Sequence, residues 1–395
     1  MKRKTGYLSG GIILGVVVLL VGYAWVSYLE PKLSLFAPDK VAHNFAHMDE
    51  VFPARTIAQS ATPYQFVENA KDIPMQYEFA DEVRALDEFL ARSQTTSFLV
   101  IQDDAIVHEA YFAGYDQEST ATSFSVAKSF VSTLVGIALD EGLIEDVHDP
   151  ITKYVPELAG SGFDGVSIAH VLQMSSGIDF SETYDDQSSD AFTIFNRMFI
   201  TMQPIDKITP SYGTHNEAGR EFEYASINTQ ALTMLLRAVT GQDMTSYLEQ
   251  KLWQPLGMAH DGSWMVDNYG TEVGFMGLNA TARDFAKLGL LFLHDGEFNG
   301  QQIVSAEWVA QATTPDRDFL QPGQIDEDWG YQYQWWIPRD AQGDFAAIGI
   351  WGQMIYVNPA ANVVIVKTSA DENFKAHEYE AIAAFRAIAA GLGEG

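Results

Sequence analysis

Ser125-Val126-Ala127-Lys128 is the stretch that decides the fold, because it joins a hydroxyl nucleophile and an amine base at the start of an apolar helix. Apolar residues recur at helical spacing from Phe130 to Leu139 and stop at Gly142, which predicts the helix. Positions three apart share one helix face, so the Ser125 hydroxyl and the Lys128 amine can meet. Exposed N–H groups at the helix N-terminus would stabilise an oxyanion and disfavour a nearby ammonium. The alternative is a serine near a helix start with a surface lysine, since S-x-x-K occurs by chance about once in a chain of this length.

The composition is that of a globular chain with a strongly acidic surface. The 395 residues hold 53 acidic and 23 basic side chains, for a net charge of −30. Such a surface repels nucleic acid, so no nucleic-acid partner is expected. A solvated acidic surface is the favoured interpretation, and a preference for cationic substrates is the alternative. Cysteine is absent, which removes disulfides, thiol nucleophiles and cysteine-based metal sites.

The N-terminus combines basic residues with an uncharged apolar run. Met1-Lys2-Arg3-Lys4 precede a stretch without charge from Tyr7 to Tyr28, which is long enough to span a bilayer. The prediction is a transmembrane anchor over residues 1–29 in the inner (cytoplasmic) membrane. The positive-inside rule then places the remaining chain on the periplasmic, extracytoplasmic side. A signal peptide cleaved near Gly22-Tyr23-Ala24 is the competing interpretation.

Strand patterns near both ends of the chain enclose a helical middle. Residues 30–94 contain scattered prolines and are predicted to form a tether and wrapping arm, which closes with a helix over Glu82–Arg92. Residues 95–395 are predicted to form the main domain, with a helical insertion at about 145–275. The predicted elements of this domain are a hairpin of Phe98–Gln102 and Ala105–Phe112, strands over Phe345–Ile350, Gln353–Val357 and Val363–Thr368, and a final helix over Glu378–Ala390. This order predicts an α+β fold, in which helices flank an antiparallel sheet and a crevice beside the insertion holds the site.

Two further motifs lie within this domain. In Glu223-Tyr224-Ala225-Ser226, a tyrosine held against a lysine could lose its proton more easily and shuttle it. In Gly349-Ile350-Trp351-Gly352-Gln353, Gly352 would let the backbone approach a ligand, and the Gln353 N–H would be an oxyanion donor. Taken separately, these stretches could equally be a packing tyrosine and a strand with a bulge.

Together and in this order, the three motifs resemble those of the penicillin-recognising serine hydrolases. The resemblance covers roughly Thr95 to Ala390 and is to the class C β-lactamase-like branch, most closely to 6-aminohexanoate-dimer hydrolases and EstB-type esterases. It implies the β-lactamase/D,D-peptidase-like fold and a cofactor-free, metal-free serine hydrolase that forms an acyl-enzyme.

The resemblance also implies roles for individual residues. Ser125 would be the nucleophile, Lys128 its base and Tyr224 the proton relay, and the N–H groups of Ser125 and Gln353 would form the oxyanion hole. Ser226 stands where the β-lactamases carry asparagine. The expected substrate-binding residues are Ser226, Trp351, Gly352 and the loop residue Tyr184.

The third motif departs from that of the antibiotic-degrading members. Ile350-Trp351-Gly352 stands where those enzymes carry a cation, a hydroxyl and glycine. A charge-assisted hydrogen bond to a substrate carboxylate is worth about 1.5–3 kcal/mol, so its loss disfavours penicillins. The expected function is therefore hydrolysis of a small linear amide or ester. The alternatives are a cell-wall D,D-peptidase or weak β-lactamase, and a non-catalytic membrane-tethered binding module. The sequence carries no indication of oligomeric state.

Overall fold

A computed structural model describes residues 22–340 and 342–393 of the chain. Its centre is an eight-stranded sheet that is antiparallel throughout, except that its last two strands run parallel. From one edge to the other, the strands are β12 (Trp329–Gln332), β13 (Trp335–Pro338), β14 (Phe345–Gly349), β15 (Gln353–Asn358), β16 (Val363–Ser369), β5 (Thr95–Gln102), β6 (Ala105–Tyr111) and β2 (Val67–Glu68). Strands from the two ends of the chain meet where β16 pairs with β5.

Smaller strand pairs surround this sheet. A four-stranded sheet has the order β1 (Ala54–Ile57), β8 (Gly262–Met265), β9 (Leu278–Thr281) and β7 (Thr120–Thr122). Two hairpins are formed by β3 (Gln76–Phe79) with β4 (Glu82–Ala85), and by β10 (Glu297–Phe298) with β11 (Gln301–Gln302).

Helices cover both faces of the main sheet. The helices are α1 (residues 22–33), α2 (Val41–Ala46), α3 (Met48–Val51), α4 (Leu86–Arg92), α5 (Ala127–Asp140), α6 (Ile168–Leu172), α7 (Asp190–Phe195), α8 (Ile205–Ile208), α9 (Ser226–Thr240), α10 (Met244–Leu248), α11 (Ala282–Leu293), α12 (Ala306–Thr313) and α13 (Phe374–Gly393). Residues 141–261 are all described and none of them belongs to a strand, so the middle of the chain is helical and loop-rich.

The alternation of side chains along β5 explains why both faces are covered. Phe98 and Val100 join the apolar cluster of α13, whereas Leu99 and Ile101 join the cluster of α5 and α11. Successive residues of a strand point to opposite faces, so an uninterrupted apolar strand must be buried on both. The α+β arrangement predicted from the sequence, an antiparallel sheet flanked by helices, is confirmed.

The predicted helix over Glu82–Arg92 is wrong in its first half. Glu82–Ala85 form a strand that pairs with Gln76–Phe79, and the helix begins only at Leu86. The hairpin turns at Ala80 and Asp81, whose φ angles are 52° and 61°. Pairing with the preceding strand therefore overrides the helical pattern over these four residues.

The predicted transmembrane helix is the second correction to the fold. Residues 1–21 of the predicted span lie outside the described residues, and no helix within the described ranges is long and apolar enough to cross a membrane. The described end of the span and the residues that follow it in the same helix are hydrogen-bonded to the domain. The Tyr28 hydroxyl donates to Asn268 Oδ1 at 2.9 Å, and Lys32 Nζ donates to the Val51 carbonyl at 2.9 Å.

Candidate active site

Ser125 lies in a short turn that leads directly into α5. The turn spans Phe124–Val126, and Ser125 is half-buried, so its hydroxyl remains within reach of a ligand. Phe124 has a φ of 41°, a conformation that costs a side-chain-bearing residue about 1–3 kcal/mol and persists where the surroundings enforce it. The nucleophile predicted from the sequence therefore follows a strained residue, as is common at functional sites.

Lys128 is in hydrogen-bond contact with Ser125. Its Nζ lies 2.7 Å from Ser125 Oγ and donates to the Phe275 carbonyl at 3.0 Å. The side chain is almost fully buried. Burial lowers the pKa of Lys128 to about 8, and the charge of Glu182 acts in the opposite direction. A lysine with this pKa is partly neutral near pH 8, so Lys128 can accept the proton of Ser125.

Tyr224 completes the group of three residues expected to do the chemistry. Lys128 Nζ lies 5.1 Å from the centroid of the Tyr224 ring, and Trp336 stacks on that ring with centroids 5.5 Å apart. Burial, followed by the charge of Glu182, raises the pKa of Tyr224, whereas hydrogen bonding to Ser125 acts in the opposite direction. The sequence argument expected the nearby lysine to ease proton loss. In the structure the pKa is raised instead, chiefly by burial, so Tyr224 is a phenol that can donate a proton.

Glu182 is a site residue that the sequence analysis missed. Its carboxylate accepts hydrogen bonds from the Tyr184 hydroxyl at 2.6 Å, the Ser226 N–H at 2.8 Å and the Ser226 hydroxyl at 2.7 Å. The residue lies in the loop before α7 and joins that loop to the first residue of α9. One glutamate among 53 acidic residues has no distinguishing sequence signal, so only the fold reveals this contact.

Ser226 and Tyr184 both line the site, but neither contacts Lys128 in a described hydrogen bond. The Ser226 hydroxyl donates to Glu182. Burial, followed by the charge of Glu182, raises the pKa of Tyr184. Tyr184 is therefore held as a neutral phenol whose hydroxyl already has an acceptor.

The two glycines of the third motif approach different parts of the protein. A Cβ at Gly349 would lie 2.5 Å from the Ser123 carbonyl oxygen and 3.0 Å from the Ser125 nitrogen. A Cβ at Gly352 would instead lie 3.1 Å from Lys367 Nζ, behind the site. The close approach to the nucleophile is therefore made by Gly349, three residues before the glycine that the sequence analysis selected.

Gln353 begins β15 and is buried. Its side chain donates to the Ser369 carbonyl at 2.7 Å and to the Trp351 carbonyl at 3.1 Å, which fixes the turn to β16. Ile350 and Trp351, by contrast, line the same cavity as Ser125. Within the third motif, the residues that face the cavity are therefore Ile350 and Trp351 of the turn.

Trp351 forms an aromatic wall together with the N-terminal arm. Phe36 stacks on it with ring centroids 5.0 Å apart and planes 1° apart, and Phe45 meets it edge-on at 5.5 Å. Trp351 has a φ of 63°, which is unfavourable for a bulky residue. Packing from the arm holds this conformation, so the arm contributes directly to the site.

These residues surround one cavity of about 760 Å³. It is lined by the nucleophile, by Glu182, Tyr184 and Ser226 of the inserted region, and by the turn at Ile350 and Trp351. The arm supplies a further set of lining residues: Leu29, Lys32, Leu33, Leu35, Phe36 and Phe52. A cavity that reaches a serine in hydrogen-bond contact with a buried lysine suits acyl transfer to a small molecule.

Comparisons with known proteins agree with this geometry. A family model described as Beta-lactamase matches residues 83–389. A 6-aminohexanoate-dimer hydrolase of Paenarthrobacter ureafaciens is 32% identical over 357 residues, which cover 86% of this chain and 88% of that protein.

Two solved structures share the fold. A Bacillus anthracis protein named as a candidate 6-aminohexanoate-dimer hydrolase superposes with a TM-score of 0.83 at 23% identity, covering 91% of this chain and 96% of its own. A family VIII carboxylesterase superposes with a TM-score of 0.60 at 18% identity, covering 76% of this chain and 96% of its own. The resemblance inferred from the motifs is confirmed.

Proposed function

Since this chain belongs to the β-lactamase family of serine hydrolases, we propose that it cleaves a small linear amide or ester through an acyl-enzyme on Ser125. The observation that carries the proposal is the 2.7 Å contact between Ser125 Oγ and Lys128 Nζ, made by a lysine whose burial lowers its pKa to about 8. A hydroxyl nucleophile needs a base within hydrogen-bond distance, and a base works best when its pKa lies near the working pH.

In the acylation step, neutral Lys128 takes the proton of Ser125 while Oγ bonds to the substrate carbonyl carbon. The carbonyl electrons move to oxygen and give a tetrahedral oxyanion. Tyr224 donates its proton to the leaving nitrogen or oxygen as the scissile bond breaks, and the proton held by Lys128 restores the phenol. Water then attacks the acyl carbon while Lys128 takes one of its protons. The bond between that carbon and Oγ breaks, and the proton passes through Tyr224 to Oγ, which releases the acid and free Ser125.

The oxyanion in this proposal is stabilised by the N–H groups of Ser125 and Ile350. Gly349 lies against the Ser125 nitrogen, and Ile350 follows it at the start of a short turn, where an N–H has no acceptor within the turn. Ile350 also lines the cavity. The sequence analysis selected the N–H of Gln353, the first residue of the next strand, as an oxyanion donor. That role stays an untested prediction.

The walls of the cavity support a linear substrate. Trp351 and Phe36 form a flat apolar surface, and Ile350-Trp351-Gly352 supplies neither the cation nor the hydroxyl of the antibiotic-degrading enzymes. A relative that covers most of this chain is a 6-aminohexanoate-dimer hydrolase, which is consistent with a linear amide.

The test is a substrate panel with the full chain and its Ser125→Ala variant. The panel holds a short-chain nitrophenyl ester, a linear 6-aminohexanoate dimer and a chromogenic cephalosporin. We expect ester or amide turnover that disappears in Ser125→Ala, with the cephalosporin hydrolysed much more slowly. Efficient cephalosporin turnover would instead favour a β-lactamase, and no Ser125-dependent turnover of any member would contradict the proposal.

A further inference from the structure

Lys32 lines the same cavity as Ser125, although it lies on α1 in the N-terminal arm. It is half-buried, and its Nζ donates to the carbonyls of Tyr28 at 3.0 Å and Val51 at 2.9 Å. The ammonium also lies 3.8 Å from the centroid of the Tyr28 ring. These contacts fix the position of the ammonium at the cavity wall, and a lysine has a third N–H that the two carbonyls leave available.

The charge of Lys32 has no counterion among residues 22–340 and 342–393, where no carboxylate oxygen lies within 4.0 Å of its Nζ. The other lysine of the cavity lining differs in this respect, because Lys375 pairs with Asp185 at 3.1 Å. Burial alone lowers the pKa of Lys32 to about 8, so the ammonium is partly desolvated without a compensating anion. An anionic group that enters the cavity would supply that compensation.

The lining near Lys32 and along the arm is aromatic. Phe36 stacks on Trp351, and Phe52 packs against Phe199 with ring centroids 4.8 Å apart. All four rings line the cavity. Transfer of an aliphatic chain from water into such surroundings is favourable, whereas a polar chain would lose its hydrogen bonds to water.

We propose that Lys32 binds a carboxylate at the end of an aliphatic substrate chain whose reacting carbonyl lies at Ser125. Phe36 and Trp351 enclose the chain, so the arm is a specificity-determining part of the site. This inference rests on the proposed hydrolase activity and names the residue that would select, among linear amides and esters, those with a free terminal carboxylate.

The experiment compares matched substrates that differ only in the terminal group. For the acyl side, the probes are the mono-4-nitrophenyl esters of succinic, adipic and suberic acids and their neutral methyl esters. For the leaving-group side, the probes are N-butyryl derivatives of ω-amino acids and the corresponding terminal carboxamides. The quantity measured is the ratio of kcat/KM for the charged probe to that for its neutral partner.

The protein variants are Lys32→Gln, which removes the charge, Lys32→Arg, which keeps it, and Lys40→Gln. Lys40 lies on the same arm but is exposed and pairs with Glu30, so its variant is the matched control. We expect wild type to prefer the charged probe in at least one series. In Lys32→Gln the ratio should fall about ten- to hundredfold, the worth of one charge-assisted hydrogen bond. Lys32→Arg should retain most of the ratio, and Lys40→Gln should leave it at the wild-type value.

A measurement on wild type alone covers the case in which Lys32→Gln does not fold. Hexanoate should inhibit ester turnover competitively, and hexanamide at the same concentration should inhibit much less. The inference is overturned if Ser125-dependent turnover is present but the ratio is the same in wild type and Lys32→Gln in both series. It is also overturned if hexanoate and hexanamide inhibit that turnover equally. Absence of Ser125-dependent turnover would instead contradict the hydrolase proposal itself.

Discussion

Glu182 and Ser226 are joined by two hydrogen bonds, one from the Ser226 N–H at 2.8 Å and one from the Ser226 hydroxyl at 2.7 Å. Ser226 is the first residue of α9 and lies two residues after Tyr224. A carboxylate at this position satisfies a free N–H of the helix and interacts favourably with the helix dipole. The pair therefore fixes the backbone beside Tyr224, and it places a negative charge close enough to influence Lys128.

Replacing Glu182 with glutamine should change the pH dependence as well as the rate. The Glu182 charge raises the pKa of Lys128, so Glu182→Gln should lower that pKa. The acidic limb of the plot of kcat/KM against pH should then move to lower pH. The rate should also fall, because an amide nitrogen cannot accept from Ser226. Glu217→Gln, which removes one charge from an exposed position, is the control and should leave the limb in place. A limb that stays in place in Glu182→Gln would show that the carboxylate does not influence the base.

In wild type, kcat/KM for a neutral ester should rise as the pH increases through about 8. Burial holds the pKa of Lys128 near this value, and only the neutral amine can accept the proton of Ser125. Burial also lowers the pKa values of Lys32 and Lys367 to about 8, so the pH profile of wild type alone does not identify the lysine that titrates. The shift of the acidic limb in Glu182→Gln assigns it to Lys128. A rate that is constant between pH 6 and pH 9 would contradict the role of a neutral lysine.

Lys128→Met should reduce kcat by about 10²–10⁴-fold, the usual contribution of a general base. The thermal unfolding midpoint should not fall, because the substitution removes a charge from a buried site and keeps a side chain of similar length. Lys207 is exposed, so Lys207→Met is a control for loss of a lysine and should retain activity. Retention of wild-type kcat in Lys128→Met would assign the base to another residue.

Gly349→Ala should reduce kcat/KM by about a hundredfold, a loss typical of a small displacement at a reacting centre. The new Cβ would lie 2.5 Å from the Ser123 carbonyl oxygen and 3.0 Å from the Ser125 nitrogen, so the backbone that carries the nucleophile must move. Gly213→Ala is a suitable control, because a Cβ there meets no atom within 4 Å. The kinetics should be accompanied by thermal melts, and an unaffected Gly349→Ala enzyme would show that Gly349 does not restrain Ser125.

The sequence predicted the parts of the fold that depend on local pattern. The hairpin around Asp103 and Asp104, the strands Phe345–Gly349 and Val363–Ser369, and the helix after Ser125 lie close to their predicted limits. Their apolar alternation and turn residues are short-range signals. The strand Glu82–Ala85 was missed because its pairing with the preceding strand competes with a helical pattern of similar strength.

The site was only partly accessible from the sequence. Ser125, Lys128 and Tyr224 lie in recognisable motifs, whereas Glu182 reaches the site from a loop with no motif. The arm residues Phe36 and Lys32 reach it through tertiary packing, across about a hundred residues of chain from the nucleophile. The pKa of Tyr224 depends on burial, which spacing along the sequence does not reveal.

The most direct test of the central claim is the mass of the intact protein after rapid quenching during turnover of a short-chain nitrophenyl ester. Wild type should gain the mass of one acyl group, and digestion should place that group on the peptide that contains Ser125. Ser125→Ala should gain nothing under the same conditions. An acyl group on another residue, or turnover in Ser125→Ala at the wild-type rate, would contradict the account.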